Sequence, residues 1–117
     1  MTGAGEIEML HVMYRNFNAR RIDDVLAHMT DGVEWPNRID GGYLHGKDAV
    51  RAYWQRQFAT IDPHVEPRNI GRDAQGRFEV GVHQTVRDLE GKLLLDAEVK
   101  HLYTIRNGLI ERMDVED

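Results

Sequence analysis

The chain has 117 residues, which fits one domain over residues 1–117 and leaves no room for a second. It contains no cysteine and no serine, which excludes disulfides, thiolate metal sites and cysteine or serine nucleophiles. The net charge is −5 and there is no basic stripe, so we predict no nucleic-acid partner. No apolar run is long enough for a membrane span or a signal peptide, so we predict a cytoplasmic protein with no membrane partner.

Helical spacing of apolar residues predicts three helices in the first half of the chain. They cover residues 7–17, residues 22–29 and, along a wider apolar stripe, about 47–60. A brief strand over 33–35 lies between the second and third helices and is stopped by Pro36. Residues 37–46 are predicted to form a loop around a pair of glycines.

The second half changes to the alternating pattern of strands. Pro67 marks residues 65–72 as an edge or bulged strand. Three longer strands follow, near 77–88, 93–106 and 109–116, and short turns separate them. Helices followed by a meander predict an α+β fold.

Alternation also predicts which side of the sheet is buried. The odd positions over 93–105 are apolar apart from His101 and Tyr103, so His101 should face the core. A two-residue turn at 107–108 would place His101 opposite Asp114, whereas a three-residue loop with a glycine bulge would place it opposite Met113. We prefer the second register because it keeps apolar residues opposite apolar ones.

Histidines on a concave, aromatic-lined sheet face would suit acid–base work on a small apolar molecule, because histidine titrates near neutrality. His101 and His83 are the candidates, and the alternative is that both are hydrogen-bonded core or interface residues. Asp40 could overhang a pocket mouth as a base, but an ordinary Asp-Gly turn is the favoured interpretation. The six histidines have no metal-ligand spacing, so we predict neither a metal nor another cofactor.

Three stretches of the sequence resemble a known superfamily. They are residues 17–36, HGKDAVRAYW at 45–54 and HLYTIRNGLI at 101–110. Together they are similar to the nuclear transport factor 2-like superfamily, and most of all to its SnoaL-like and ketosteroid-isomerase-like branch. The resemblance implies a cone-shaped α+β barrel, with three N-terminal helices packed on a strongly curved, mainly antiparallel sheet around an apolar pocket. Members often form homodimers through the outer sheet face.

The resemblance also implies roles for the two histidines. His101 falls where the steroid isomerase has the protonated aspartate of its oxyanion hole, and His83 falls where limonene epoxide hydrolase has a catalytic aspartate. That alignment favours an inward His83, whereas the apolar residues of its strand lie at the even positions and favour the opposite face.

The chain departs from both relatives at other site positions. Asn37 stands near the position of the isomerase's general-base aspartate, and Met13, followed by Tyr14, stands at its oxyanion tyrosine. Val115 stands at the hydrolase's last-strand aspartate. Neither catalytic set is complete.

We therefore expect a cofactor-independent acid–base enzyme of the isomerase, cyclase, dehydratase or hydrolase type, acting on an apolar or polyketide-like molecule. His101 would donate a proton or stabilise an oxyanion, and His83 or Asp40 would be the base. The predicted substrate-binding residues are Tyr14, Trp35, Asn37, Trp54, Phe58, Tyr103, Met113 and Val115. The alternative is a non-catalytic dimeric domain that binds a ligand or another protein.

Overall fold

A computed structural model describes residues 4–116. Three helices are formed by α1 (Ala4–Asn18), α2 (Ile22–Leu26) and α3 (Lys47–Thr60). Six strands complete the fold: β1 (Met29–Pro36), β2 (Tyr43–His45), β3 (Ile61–Arg72), β4 (Phe78–Asp88), β5 (Leu93–Arg106) and β6 (Leu109–Glu116).

The strands form one mixed sheet in the order β2-β1-β6-β5-β4-β3, with the helices on one side. All neighbouring strands are antiparallel except β1 and β6, which are parallel. The α+β class and the mainly antiparallel sheet are therefore confirmed. The predicted cone-shaped barrel is wrong in one respect: the sheet is not closed, because β2 and β3 remain at its opposite edges. The three helices are also not all N-terminal to the sheet, since β1 and β2 lie between α2 and α3.

The segment after α2 differs most from its prediction. The second helix was predicted to reach Met29 but ends at Leu26, and Met29 instead begins β1. The predicted loop contains β2, which pairs with β1 at Trp35 and Leu44. The chain reverses through Gly41 and Gly42, both in the left-handed region at φ 86° and 71°, a conformation that glycine adopts without a steric penalty.

Neither predicted register of β5 against β6 holds along the whole length of the two strands. Asn107 and Gly108 both have positive φ and form the tight two-residue turn, which pairs Ile105 with Ile110. A bulge after that pair then shifts the register, so that His101 lies opposite Val115. The shift keeps inward residues opposite inward ones, which is why the predicted buried face is correct although both predicted partners of His101 are wrong.

The core lies between the helices and the inner face of the sheet. The helices contribute apolar or aromatic residues at helical spacing, and the strands contribute alternate residues. The buried members include Leu10, Met13, Val50, Tyr53, Trp54, Val80, Val82, Tyr103, Ile110 and Met113.

The outer face of the sheet is mostly polar. Arg112 pairs with Glu34 and Asp114, and Lys100 pairs with Glu79 across neighbouring strands. Opposite charges at adjacent strand positions stabilise a sheet modestly. The homodimer expected through this face stays a prediction, and it would have to form over these ion pairs.

Asn18 joins the end of α1 to the edge of the sheet. Its side chain donates from Nδ2 to the Val65 carbonyl at 2.8 Å and accepts the Val65 N–H at Oδ1 at 3.0 Å. Asn18 thus satisfies both backbone groups of a residue in edge strand β3, as a neighbouring strand would.

We expect Asn18→Ala to lower the free energy of unfolding by about 1–3 kcal/mol, because two part-buried hydrogen bonds are lost and Val65 is left without its partner. Urea unfolding measures the change. Asn16→Ala on the same helix is the matched control and should cost much less, since no side-chain hydrogen bond of Asn16 is found among the described residues. Equal losses would contradict the bridging role of Asn18.

Candidate functional site

A cavity of about 330 Å³ lies between the helices and the inner sheet face. Its walls are mostly apolar and aromatic, with a few polar groups among them, as is usual for small-molecule sites. The lining residues are Met13, Tyr14, Phe17, Val25, Trp35, Pro36, Arg38, Tyr53, Trp54, Gln57, Val65, Gln84, Leu95, His101, Tyr103, Met113 and Val115.

Three buried side chains form a hydrogen-bonded cluster in this cavity. The Tyr14 hydroxyl lies 2.8 Å from His101 Nδ1 and 2.8 Å from the Tyr103 hydroxyl. The Tyr103 hydroxyl is 3.5 Å from the same His101 nitrogen. We call these three residues the Tyr-His-Tyr cluster. It is a chain of groups that can both donate and accept protons.

Two elements position the cluster. Residues 101 and 103 lie two apart on β5, so the alternation of a strand turns both inward. Tyr14 comes from the buried stripe of α1, next to Met13. Its ring is nearly parallel to the His101 ring, with 5.9 Å between centroids and 15° between planes, and this packing fixes the direction of the Tyr14 hydroxyl.

Burial keeps all three groups uncharged near neutral pH. Burial, and then the positive charge of Arg38, lowers the pKa of His101 to about 4. Burial raises the pKa of Tyr14 well above its ordinary value, and the neighbouring Tyr103 raises it further. Burial also raises the pKa of Tyr103, against the lowering effect of its hydrogen bond with Tyr14.

The second ring nitrogen of His101 faces the cavity. His101 is 8% exposed, and its Nε2 has no hydrogen-bond partner among residues 4–116. No fully buried side-chain nitrogen or oxygen in that part of the chain lacks a partner, so Nε2 must touch open space. A bound molecule can therefore reach one nitrogen of a ring whose other nitrogen is held by the protein.

Most of the residues predicted for the site line this cavity. They are His101 and, among the predicted substrate-binding residues, Tyr14, Trp35, Trp54, Tyr103, Met113 and Val115. The structure thus brings together residues from α1, β1, α3, β5 and β6 around one space.

His83 does not reach the cavity. Its strand turns the even residues inward, so His83 lies on the outer sheet face. There its Nε2 is 2.6 Å from an Asp96 oxygen and its Nδ1 is 3.1 Å from Arg68. The expected pair of histidines in one pocket is not formed, because the apolar pattern of β4 decides which face is buried.

Three further predicted residues also lie outside the cavity walls. Asp40 sits on the exposed loop, where its backbone N–H donates to the Asn37 side chain. Asn37 itself holds this loop and lines a separate, more open groove. Phe58 packs on Phe17, with ring centroids 5.2 Å apart, under the Arg20 guanidinium.

Sequence reasoning missed four polar or charged wall residues, namely Arg38, Tyr53, Gln57 and Gln84. Gln84 shares the even, inward parity of Val80 and Val82, so the alternation of β4 could have identified it. Arg38 follows Pro36 in an irregular segment, where no periodicity indicates the direction of a side chain.

The described residues contain neither a cluster of metal ligands nor a membrane-spanning helix. Within residues 4–116, no three His, Asp or Glu side chains come together as metal ligands would. None of the helices in the same part of the chain has the length and apolar character needed to cross a bilayer.

Comparison with known proteins identifies the family. Residues 10–113 match the model of the SnoaL-like domain. The chain belongs to the SnoaL-like family. No curated protein matches this SnoaL-like chain significantly.

Solved structures share the fold of the SnoaL-like chain at low identity. A nuclear transport factor 2-like protein of unknown function from Burkholderia pseudomallei is 20% identical with a TM-score of 0.84, over 98% of this chain and 92% of the other. A Xanthomonas campestris protein with the provisional name polyketide cyclase is 18% identical with a TM-score of 0.76, over 95% and 88%. A Mycobacterium tuberculosis protein in complex with estradiol-17beta-hemisuccinate is 18% identical with a TM-score of 0.80, over 95% and 92%. These likenesses confirm the fold.

Proposed function

We propose that this SnoaL-like chain is a cofactor-independent acid–base enzyme that moves a proton within a small apolar, polyketide-like carbonyl compound. The observation that carries the proposal is the Tyr-His-Tyr cluster, in which Nε2 of His101 faces an apolar cavity while Nδ1 is held by Tyr14. A proton-carrying group in a mostly apolar pocket is typical of an active site.

The hydrogen bonds of the cluster allow two arrangements of its protons. In one, Tyr103 donates to Tyr14 and Tyr14 donates to Nδ1 of His101, so Nε2 carries a proton and is a donor. In the other, Nδ1 donates to Tyr14, and Nε2 has a free lone pair and is an acceptor. In the second arrangement Nε2 can accept a proton from the substrate, which gives an imidazolium whose Nδ1–H is held by Tyr14. The same Nε2 can then return that proton to another atom of the substrate, which restores the neutral ring.

The residues that line the cavity limit the types of reaction that it could catalyse. No aspartate or glutamate is found among the described lining residues, so His101 is the sole candidate base there. A single group that takes a proton from one carbon and returns it to another atom of the same molecule suffices for an isomerisation or a cyclisation. A neutral imidazole can also hydrogen-bond a developing enolate, as the neutral histidine of triosephosphate isomerase does.

Two structural relatives are consistent with a ring-shaped substrate. One carries the name polyketide cyclase and another was solved with estradiol-17beta-hemisuccinate. We therefore place the substrate among fused or cyclic carbonyl compounds that fit a cavity of about 330 Å³.

Proton exchange tests the proposal without knowledge of the natural substrate. β-Tetralone, an apolar bicyclic ketone, is incubated in D2O, and loss of the signals of protons next to the carbonyl is followed by NMR. We expect the wild-type chain to accelerate the exchange, and His101→Gln to lower the protein-dependent rate about 100-fold or more. Tyr14→Phe keeps the ring but removes the hydroxyl, and it should fall between the two.

His83→Gln is the matched control, because it makes the same substitution on the outer sheet face, and its exchange rate should equal that of the wild type. Thermal unfolding of each variant confirms that the fold is intact. An unchanged rate in a folded His101→Gln variant would overturn the role given to the cluster.

A non-catalytic ligand-binding domain is the second candidate. The observation that favours it is the lack of a carboxylate base among the described walls, together with a pKa of about 4 that makes His101 a weak base. The same experiment separates the two: tight binding of the ketone with exchange no faster than in buffer would select the binding domain.

A further inference from the structure

The apolar cavity adjoins a second, more polar space beside the loop after β1. That groove has a volume of about 340 Å³ and is formed by the ends of β1 and β6 and by the loop between β1 and β2. Three residues line both spaces: Pro36, Arg38 and Val115. The two spaces are therefore neighbours, and these three residues stand at the junction between them.

Arg38 is the charged residue at this junction. The other described lining residues of the inner cavity are apolar, aromatic or neutral polar, and His101 is uncharged near neutral pH. The positive charge of Arg38 acts on His101 and helps to lower the pKa of its ring. A ligand that fills the cavity thus meets the guanidinium-bearing residue Arg38 at the end next to the groove.

The backbone of Arg38 is fixed to the cavity wall. Its N–H donates to the hydroxyl of Tyr53 on α3 at 3.2 Å, and Tyr53 is buried and lines the inner cavity. A guanidinium presents N–H donors on several edges of its plane, so it can bind a ligand at one edge while another edge has a different partner.

We propose that the ligand of this protein is an amphipathic ring acid, whose apolar ring system fills the inner cavity and whose carboxylate or comparable anionic group lies against Arg38 at the junction of the two spaces. The inference rests on the inner cavity being a small-molecule site, as proposed above. The inference goes beyond the proposed function in two ways: the ligand carries a charged group, and Arg38 binds that group.

Binding of two compounds that differ in charge alone tests the proposal. Decalin carboxylic acid and decalin carboxamide share an apolar bicyclic body and do not fluoresce. Both tryptophans of the chain, Trp35 and Trp54, line the cavity, so their emission reports its occupancy. We expect the acid to bind at least about tenfold more tightly than the amide, and salt to reduce the difference.

Substitutions at Arg38 test whether this residue causes the preference for the acid over the amide. Arg38→Met should bind both compounds with similar affinity, and Arg38→Lys should keep part of the preference for the acid. Arg51→Met is the matched control and should behave like the wild type, because Arg51 lies on the exposed side of α3 and pairs with Asp23 and Asp48. A preference that survives in Arg38→Met would overturn the assignment to Arg38.

The other outcomes are equally informative. Equal affinity of acid and amide for the wild type would overturn the inference while leaving the proton-transfer proposal intact. Binding of neither compound would overturn it too, because the cavity would then reject apolar bicyclic molecules. Preference for the acid without β-tetralone exchange in any sample would support the inference and reject the catalytic function.

Discussion

Acidification from pH 7 to pH 4.5 is expected to destabilise the wild-type chain by about 2–3 kcal/mol more than it destabilises His101→Gln. Burial, and then the charge of Arg38, lowers the pKa of His101 to about 4 in the folded chain, against 6.5 for an ordinary histidine. Between these two values the unfolded chain binds a proton that the folded chain does not. The contribution of His101 to stability is therefore complete above about pH 6.5 and is lost as the pH falls toward 4.

The groups around His101 agree with this direction. Tyr14 and Tyr103 face the ring as neutral hydroxyls, and Arg38 is the charge that acts on it. No carboxylate among the described cavity walls would favour the protonated ring. Protonation inside the folded chain would thus place a positive charge in an apolar space near another positive charge.

Urea unfolding followed by tryptophan emission measures the effect at pH 7 and pH 4.5. Carboxyls such as Asp114 also contribute to acid sensitivity: burial raises the pKa of Asp114, but hydrogen bonds from Arg112 and Tyr43 lower it by more. Because these groups are the same in wild type and variant, the difference between the two chains isolates His101. Equal acid sensitivity of the two chains would mean that His101 titrates normally and is open to water.

Sequence periodicity predicts the elements and the buried face, and it stops short of the contacts between elements. The period of two on β5 turns His101 and Tyr103 inward whatever the register, which is why the buried face is correct although a bulge moves the partner of His101 to Val115. The hydrogen bond from His101 to Tyr14 joins residues 87 positions apart. It depends on how α1 packs on the sheet, and no local pattern encodes that packing.

Sequence reasoning misplaced several residues because residue chemistry does not determine the direction in which a side chain points. His83 and Asp40 have the right chemistry for a site, but chemistry does not set direction: the apolar even face of β4 turns His83 outward, and the loop around Gly41 and Gly42 holds Asp40 in solvent. Phe58 was predicted from an apolar stripe on α3 that is wider than the cavity, so its end covers Phe17 instead.

Trp54→Ala is expected to lower the free energy of unfolding by about 3–5 kcal/mol. Trp54 is 2% exposed and lies between two other rings, with its centroid 5.3 Å from Trp35 and 5.5 Å from Phe17, both edge-to-face. Removing the indole loses the buried area and both ring contacts. It also enlarges the cavity, because Trp54 is one of its walls.

Phe58→Ala is the matched control for this substitution. Phe58 is an aromatic residue one turn later on α3, and it is half-buried, touches Phe17 and does not line the cavity. We expect Phe58→Ala to lower the free energy of unfolding by about 1–2 kcal/mol and to leave the affinity for decalin carboxylic acid unchanged.

Trp54→Phe, which keeps a ring in place, provides a folded variant if Trp54→Ala is too unstable. It should weaken binding of the acid while costing less stability than Trp54→Ala. If Phe58→Ala weakened binding as much as Trp54→Phe, the ligand would extend beyond the walls assigned here. The comparison therefore tests the boundary of the site as well as the packing of its core.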